Sequence, residues 1–139
     1  MKKIGLILFS ALLLWNLSAC GASSRDETKK AVIKDDRLVV TLESNPSTGY
    51  GWAYTAEGDP CFPSVAEYAY TSPQHELNLA GASGTEIFIF TPEADGEAQL
   101  HFAYLRSFEE NSTIREFDLR VSVSAGKLRI LDQKYTELS

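Results

Sequence analysis

Histidine, cysteine and basic residues are scarce in this chain of 139 residues, which has two histidines, two cysteines and 13 lysines and arginines. Neither His75 nor His101 stands beside a nucleophile motif, and no HExxH, paired-cysteine, phosphate-loop or EF-hand spacing occurs. His75 is predicted to be a polar loop residue, and His101, which alternates with apolar residues, a surface or rim residue. An enzyme is therefore the weakest functional hypothesis, and neither a metal site nor a cofactor is predicted.

The shortage of basic residues also limits the partners of this chain. Against 13 basic residues stand 19 acidic ones, which gives a formal net charge of −6. Residues 1–19 hold two of the basic residues, so the remainder has 11 basic against 19 acidic residues. A domain of this charge without a basic cluster is a poor nucleic-acid binder. It would associate faster with basic partners.

A long apolar run occurs only at the amino terminus. Residues 1–3 are short and basic, residues 4–15 are mostly apolar, and Leu17-Ser18-Ala19-Cys20 closes the segment. This is the pattern of a secretory signal, and the run is too short for a good transmembrane helix. The Leu-Ser-Ala-Cys ending resembles a bacterial lipobox, which implies cleavage before Cys20 and a lipid on its sulfur, with an acyl chain such as palmitate on the new amino terminus. The alternative is a plain signal peptide with a chance cysteine.

The chain is thereby divided into three parts. Residues 1–19 are predicted to be a lipoprotein signal peptide, residues 20–30 a lipidated cysteine with a polar tether, and residues 31–139 one domain. Acylation of Cys20 leaves Cys61 as a free cysteine, buried as a small hydrophobe. The competing possibility is a Cys20–Cys61 disulfide in a non-lipidated form. The lipid anchor implies a cell-envelope location, at the outer membrane if the cell has two membranes, because no aspartate follows Cys20.

Strong helical periodicity is absent beyond the amino-terminal segment, whereas period-two alternation recurs. It predicts an all-β sandwich or barrel of about seven short strands. A continuous apolar run, residues 87–90, is typical of a sandwich interior. The six principal strand-like runs lie near residues 37–43, 50–55, 64–71, 85–91, 97–105 and 114–124, and a further run follows Gly126.

If every connection reverses the chain, three loops meet at one end of the sandwich. We name them loop 1 (residues 45–50), loop 2 (residues 81–84) and loop 3 (residues 106–110). Loop 1 is predicted to be rigid, because Pro46 fixes its own φ and Gly49 can take the positive φ of a tight turn. Such a loop loses little conformational entropy on binding. The opposite end receives the connections within residues 57–63 and 92–96.

Aromatic residues lie in or near the three loops, which is typical of surfaces that recognise proteins. Core packing explains Trp52 and Tyr104 at least as well as an interface does. Phe108 stands in a polar loop and is predicted to be an interface residue.

The three loops together resemble those of the chagasin family, whose members inhibit papain-like cysteine proteases. Loop 1 with its flank reads NPSTGYGW and is close to the NP-T-TG-Y/F pattern of that family. Loop 2 reads GASG and resembles a G-x-G-G loop, and RSF in loop 3 resembles R-P-W. The resemblance extends from about Leu38 to Val123. It implies an immunoglobulin-like β fold, and a monomer is predicted.

The resemblance also implies how the loops act. Loop 1 would cover the catalytic cysteine of the protease with Thr48 near the catalytic pair, loop 2 would lie on the non-primed side, and Arg106 and Phe108 would contact the primed side. The protease-binding residues so implied are Asn45, Pro46, Ser47, Thr48, Gly49, Tyr50, Gly81, Ala82, Ser83, Gly84, Arg106, Ser107 and Phe108.

Three residues depart from the family pattern. Ser83 replaces a glycine, Ser107 replaces a proline and would loosen loop 3, and Phe108 replaces a tryptophan and lacks its indole N–H. Weaker or retuned inhibition is expected, since each 1.4 kcal/mol of lost contact lowers affinity about tenfold. The same departures suit the alternative hypothesis of a non-inhibitory envelope lipoprotein that binds a partner through the same loops.

Overall fold

The structure is a computed structural model that describes residues 29–64, 66–72 and 83–139. The predictions for Cys20, His75, Gly81 and Ala82 fall outside these residues. The described elements are eight strands and one short 3₁₀ helix: β1 (Ala31–Lys34), β2 (Arg37–Ser44), η1 (Pro46–Thr48), β3 (Gly51–Gly58), β4 (Glu67–Thr71), β5 (Gly84–Phe90), β6 (Gly96–Leu105), β7 (Arg115–Ser124) and β8 (Lys127–Glu137).

The strands form two antiparallel four-stranded sheets, which confirms the predicted all-β fold. Sheet A has the order β1-β2-β5-β4 and sheet B the order β3-β6-β7-β8. The eighth strand is β1, which lies outside the strand-like runs predicted from the sequence. Asp35 and Asp36 join β1 to β2 with φ values of 51° and 56°. Two consecutive positive φ values match a type I′ hairpin turn, but the glycine that usually marks that turn is missing here.

The core lies between the two sheets and is built by alternate residues of each strand. Its largest fully buried side chains include Leu38 and Phe90 from sheet A and Phe102 and Phe117 from sheet B. The predicted alternation in β2, β6 and β7 is therefore confirmed. The continuous apolar run in β5 also alternates, because Phe88 and Phe90 are buried whereas both isoleucines of the run are half-buried.

The end of the sandwich opposite the three loops is closed by backbone hydrogen bonds. The Asp59 N–H donates to the Glu97 carbonyl at 2.8 Å, and the Glu93 N–H donates to the Cys61 carbonyl at 2.7 Å. Cys61 is a free cysteine with no exposed surface, as predicted. Burial raises the pKa of its thiol, and the nearby charges of Asp59 and Asp95 add to the increase. The thiol therefore stays protonated at neutral pH and acts as a small apolar group.

Candidate functional site

Loop 1 is a closed turn that bonds to itself. The Thr48 N–H donates to the Asn45 carbonyl at 3.1 Å, and the Gly49 N–H donates to the Pro46 carbonyl at 3.0 Å. The Thr48 hydroxyl donates to the same Asn45 carbonyl at 2.6 Å. Gly49 ends the turn with a φ of 80°, the left-handed conformation that glycine adopts readily. The predicted tight turn is present, and its four central residues, 46–49, are exposed.

Both ends of loop 1 rest on Tyr104 of β6. The Asn45 N–H donates to the Tyr104 hydroxyl at 2.8 Å. The Tyr50 ring stacks on the Tyr104 ring with a centroid separation of 5.3 Å, and the Trp52 ring lies 5.0 Å from it. The Trp52 indole N–H donates to the Glu43 carbonyl at 2.9 Å. Trp52 and Tyr104 are thus buried and support loop 1 from the core. Core packing therefore explains these two residues.

A buried carboxylate, Glu86 of β5, holds the strand ends below loop 1. It accepts hydrogen bonds from the Ser44 hydroxyl at 2.6 Å and the Trp52 N–H at 3.4 Å. It also hydrogen-bonds the Tyr68 side chain, and desolvation and the Glu86 charge raise the pKa of the Tyr68 phenol. A buried carboxylate needs such donors to offset its desolvation. The sequence did not indicate a buried carboxylate here, because Glu86 stands as a single polar residue beside the apolar run of β5.

Loop 3 contacts loop 1 through two side chains. The Arg106 Nε–H donates to the Thr48 carbonyl at 3.2 Å, and its guanidinium lies 4.5 Å from the centroid of the Tyr50 ring. Phe108 lies against Gly49, so closely that a Cβ added to that glycine would be 3.2 Å from the ring. Phe108 is nevertheless 72% exposed, and its role as an interface residue stays a prediction.

Loop 3 is also closed within itself, although a serine replaces the proline of the family pattern. The Glu109 N–H donates to the Arg106 carbonyl at 3.1 Å. The Arg106 N–H donates to the Ser112 hydroxyl at 2.9 Å, and that hydroxyl lies 2.9 Å from the carbonyl oxygens of both Arg106 and Glu109. Ser112 thus offsets the loosening expected from Ser107. Ser112 could not be recognised from the sequence, since a lone serine in a polar segment carries no signal.

Of loop 2, the structure describes Ser83 and Gly84. Ser83 is exposed and lines a cleft of about 370 Å³ together with residues of loops 1 and 3, including Thr48 and Arg106. Gly84 begins β5, where an added Cβ would lie 2.5 Å from the Thr71 carbonyl oxygen. The described part of loop 2 therefore meets the other two loops at one end of the sandwich, as strand reversal predicts.

The histidine of sheet B lies on its outer face. His101 Nδ1 is 2.7 Å from Asp118 Oδ1, and the His101 side chain is 40% exposed, which confirms the surface position. Across residues 29–64, 66–72 and 83–139, no group of three or more histidine, cysteine or acidic side chains is arranged to hold a metal ion. In the same ranges, no helix has the length and apolarity needed to cross a membrane.

Comparison with known proteins gives three matches. Residues 31–121 match the family described as "Chagasin family peptidase inhibitor I42". Amoebiasin-1 of Entamoeba histolytica is 28% identical over 98 residues, which cover 70% of this chain and 92% of that protein. The crystal structure of the Entamoeba histolytica cysteine protease inhibitor EhICP2 shares the fold, with a TM-score of 0.55 at 21% identity over 63% of this chain and 78% of that one.

The family match favours an inhibitor over an enzyme among the classes of function raised by the sequence. It covers most of the β domain, including loops 1 to 3 and the strands between them. The family consists of inhibitors, which confirms the prediction that the chain is not an enzyme. The chain belongs to the chagasin family of peptidase inhibitors.

Proposed function

We propose that this protein reversibly inhibits papain-like cysteine proteases by placing loops 1, 2 and 3 in and around the active-site cleft. The observation that carries the proposal is the geometry of loop 1, whose exposed tip is closed by its own hydrogen bonds and whose two ends rest on the buried Tyr104. A loop that is already ordered loses little conformational entropy when it enters a cleft. The name of EhICP2, a cysteine protease inhibitor, supports the same class of target.

The closed turn also explains how loop 1 can occupy a protease without being cut. Cleavage requires a peptide carbonyl held at about 3–3.5 Å from the nucleophile in an aligned geometry. The carbonyls of Asn45 and Pro46 accept hydrogen bonds inside the turn, and Thr48 bonds its own loop through both its N–H and its hydroxyl. Loop 1 would have to open before it could lie in the cleft as an extended substrate. In this proposal the intact turn covers the catalytic cysteine, with Thr48 at the tip.

The flanking loops supply the remaining contacts in this proposal. Phe108 offers an exposed aromatic ring beside loop 1, and aromatic anchors dominate the energetics of many interfaces. Ser83 lines the cleft that it shares with residues of loops 1 and 3. Phe108 would contact the primed side of the protease and Ser83, with the rest of loop 2, the non-primed side.

A titration of active papain with the protein lacking residues 1–20 tests this function. We expect competitive, reversible inhibition at nanomolar to low micromolar concentrations. Thr48→Arg should abolish it, because a long charged side chain at the tip clashes with the catalytic pair. The control is Thr55→Arg, at an exposed position within β3, which should inhibit like the unmodified protein.

Either of two outcomes would contradict the proposal. Equal inhibition by the protein and its Thr48→Arg variant would exclude entry of loop 1 into the cleft. No inhibition of papain or of a cathepsin L-type protease up to about 100 μM, equivalent to about −5.5 kcal/mol, would favour the non-inhibitory binding module instead.

We further propose that the inhibitor is displayed at the cell envelope through a lipid on Cys20. The segment of residues 20–30 is short and polar, and a segment of that length reaches at most about 40 Å even when fully extended. The β domain, which begins at Ala31, would therefore stay close to the membrane surface. Cys20→Ala should move the full-length protein from the membrane fraction to the soluble fraction. Retention of that variant in the membrane fraction would contradict lipid anchoring.

A further inference from the structure

We propose that Arg106 is a positioning residue that joins loops 1 and 3 into one rigid unit. In this proposal the positive charge of Arg106 makes no direct contact with the protease. Its part in inhibition rests on the proposed function, but its part in ordering loop 1 does not. The guanidinium makes three contacts inside the protein: with the Thr48 carbonyl, with the Tyr50 ring and with the Glu109 carboxylate. Only a third of the Arg106 side chain is exposed.

The contact with Thr48 satisfies a backbone group at the tip of loop 1. The last carbonyls of a helical turn have no partner within that turn. Thr48 is the final residue of the 3₁₀ helix, and its carbonyl accepts the Arg106 Nε–H at 3.2 Å. The hydrogen bond holds the tip toward loop 3, a contact between residues 58 positions apart in the sequence.

The contact with Tyr50 holds the carboxyl-terminal end of loop 1 against the core. The Arg106 guanidinium lies 4.5 Å from the centroid of the Tyr50 ring, and the Tyr50 ring stacks in turn on the Tyr104 ring with a centroid separation of 5.3 Å. The Tyr104 hydroxyl in turn accepts the Asn45 N–H at the start of loop 1. One column of side chains from β6 and its end thus holds the start, the tip and the carboxyl-terminal end of loop 1.

The position of Arg106 is itself fixed from loop 3. Its N–H donates to the Ser112 hydroxyl and its carbonyl accepts the Glu109 N–H. Its Nη1 lies 3.1 Å and 3.3 Å from the two carboxylate oxygens of Glu109. A planar guanidinium can stack on a ring and donate in several directions within its plane, which a lysine ammonium cannot do at once. Arginine is therefore required at this position by geometry rather than by charge.

Hydrogen exchange in the free protein tests the ordering role without any protease. In Arg106→Lys, which keeps the charge, we expect the amides of Asn45 and Gly49 to exchange about five to ten times faster than in the unmodified protein. The matched control is Arg115→Lys. The Arg115 guanidinium lies 5.4 Å from the Tyr104 centroid and pairs with Glu137, and the exchange of both amides should change less than twofold.

Inhibition of papain gives the second readout. Arg106→Lys and Arg106→Gln should weaken inhibition by the same factor, about tenfold, if the residue positions loop 1. A lysine variant that inhibits like the unmodified protein while the glutamine variant fails would show a direct charge contact and overturn the proposal. Unchanged amide exchange in Arg106→Lys would overturn it as well. If the unmodified protein does not inhibit any papain-like protease, the proposed function fails, and the exchange experiment still decides whether Arg106 orders loop 1.

Discussion

The two ends of the sandwich are both held by hydrogen bonds, but they differ in what they expose. At the end opposite the loops, backbone groups bond to one another around the buried Cys61, and glycine allows the chains to approach closely. At the loop end, the buried Tyr104 supports loop 1, and the tip of loop 1 and Phe108 lie in solvent. Hydrogen-bonded order is common to both ends. The proposed binding surface adds to that order the exposed ring of Phe108.

The largest expected effect comes from disturbing the opposite end. Gly58 has a φ of 95°, and an added Cβ would lie 2.6 Å from the Glu97 carbonyl oxygen. Gly58→Ala should lower the free energy of unfolding by about 3 kcal/mol through strain and displaced backbone. Gly126→Ala is the control at the same end. Gly126 has a φ of 73° but no heavy atom within 4 Å of the added Cβ, so its substitution should lower the free energy of unfolding by only about 1 kcal/mol.

Denaturant unfolding measures both losses, and papain inhibition at low temperature measures function. If the two ends serve separate purposes, folded Gly58→Ala should inhibit like the unmodified protein. A loss of inhibition by the folded Gly58→Ala variant would show that the two ends are not independent.

The second effect concerns the loop end and should leave stability nearly unchanged. Phe108→Ala removes an exposed ring, so unfolding should change by no more than about 0.5 kcal/mol. Inhibition should weaken about 30-fold, equivalent to a lost anchor of about 2 kcal/mol. Leu131→Ala, at an exposed apolar residue of β8, should leave the inhibition constant unchanged. An equal effect of the two variants would mean that Phe108 is no special contact.

The smallest expected effect is a fall in the free energy of unfolding at alkaline pH. The groups that titrate in this range differ between the two ends of the sandwich. The pKa of the Cys61 thiol is raised above its ordinary 9.0 by burial, and those of Tyr68 and Tyr135 above 10.0, chiefly by desolvation. The folded state keeps these protons when the unfolded state releases them. Stability therefore falls as pH rises beyond about 9 for the thiol and beyond about 10 for the phenols.

The slopes of unfolding free energy against pH check this assignment. Cys61→Ala should flatten the slope that begins near pH 9, and Tyr68→Phe should flatten part of the slope above pH 10. A slope that is unchanged in both variants would show that neither group retains its proton on folding.

Sequence patterns predicted the strands that pack on the core, because period-two alternation survives wherever one face is buried. They did not predict β1, whose turn of two aspartates lacks glycine. They also set the start of the third run near residue 64, although β4 begins at Glu67. All five residues of β4 are exposed, so no buried face imposes a pattern there.

The location of loops 1 and 3 could also be predicted. Pro46 and Gly49 mark the turn of loop 1, loop 3 fills the gap between two alternating runs, and strand reversal places the two loops at one end. What joins the two loops could not. The contact of Arg106 with Thr48 and the three-way role of Ser112 depend on the folded distances between residues. The resemblance implies a contact of Arg106 with the protease, and it gave no sign of the bonds that the Arg106 guanidinium makes within the protein.

The burial of Trp52 has a practical consequence. It is the single tryptophan of residues 31–139, and it lies beside Tyr104 under loop 1 with its indole N–H bound to the Glu43 carbonyl. Its fluorescence therefore reports on the loop end, while labelling of the Cys61 thiol reports on the opposite end. The domain carries two native probes, one at each pole, and their agreement or divergence during unfolding measures whether the poles melt as one cooperative unit.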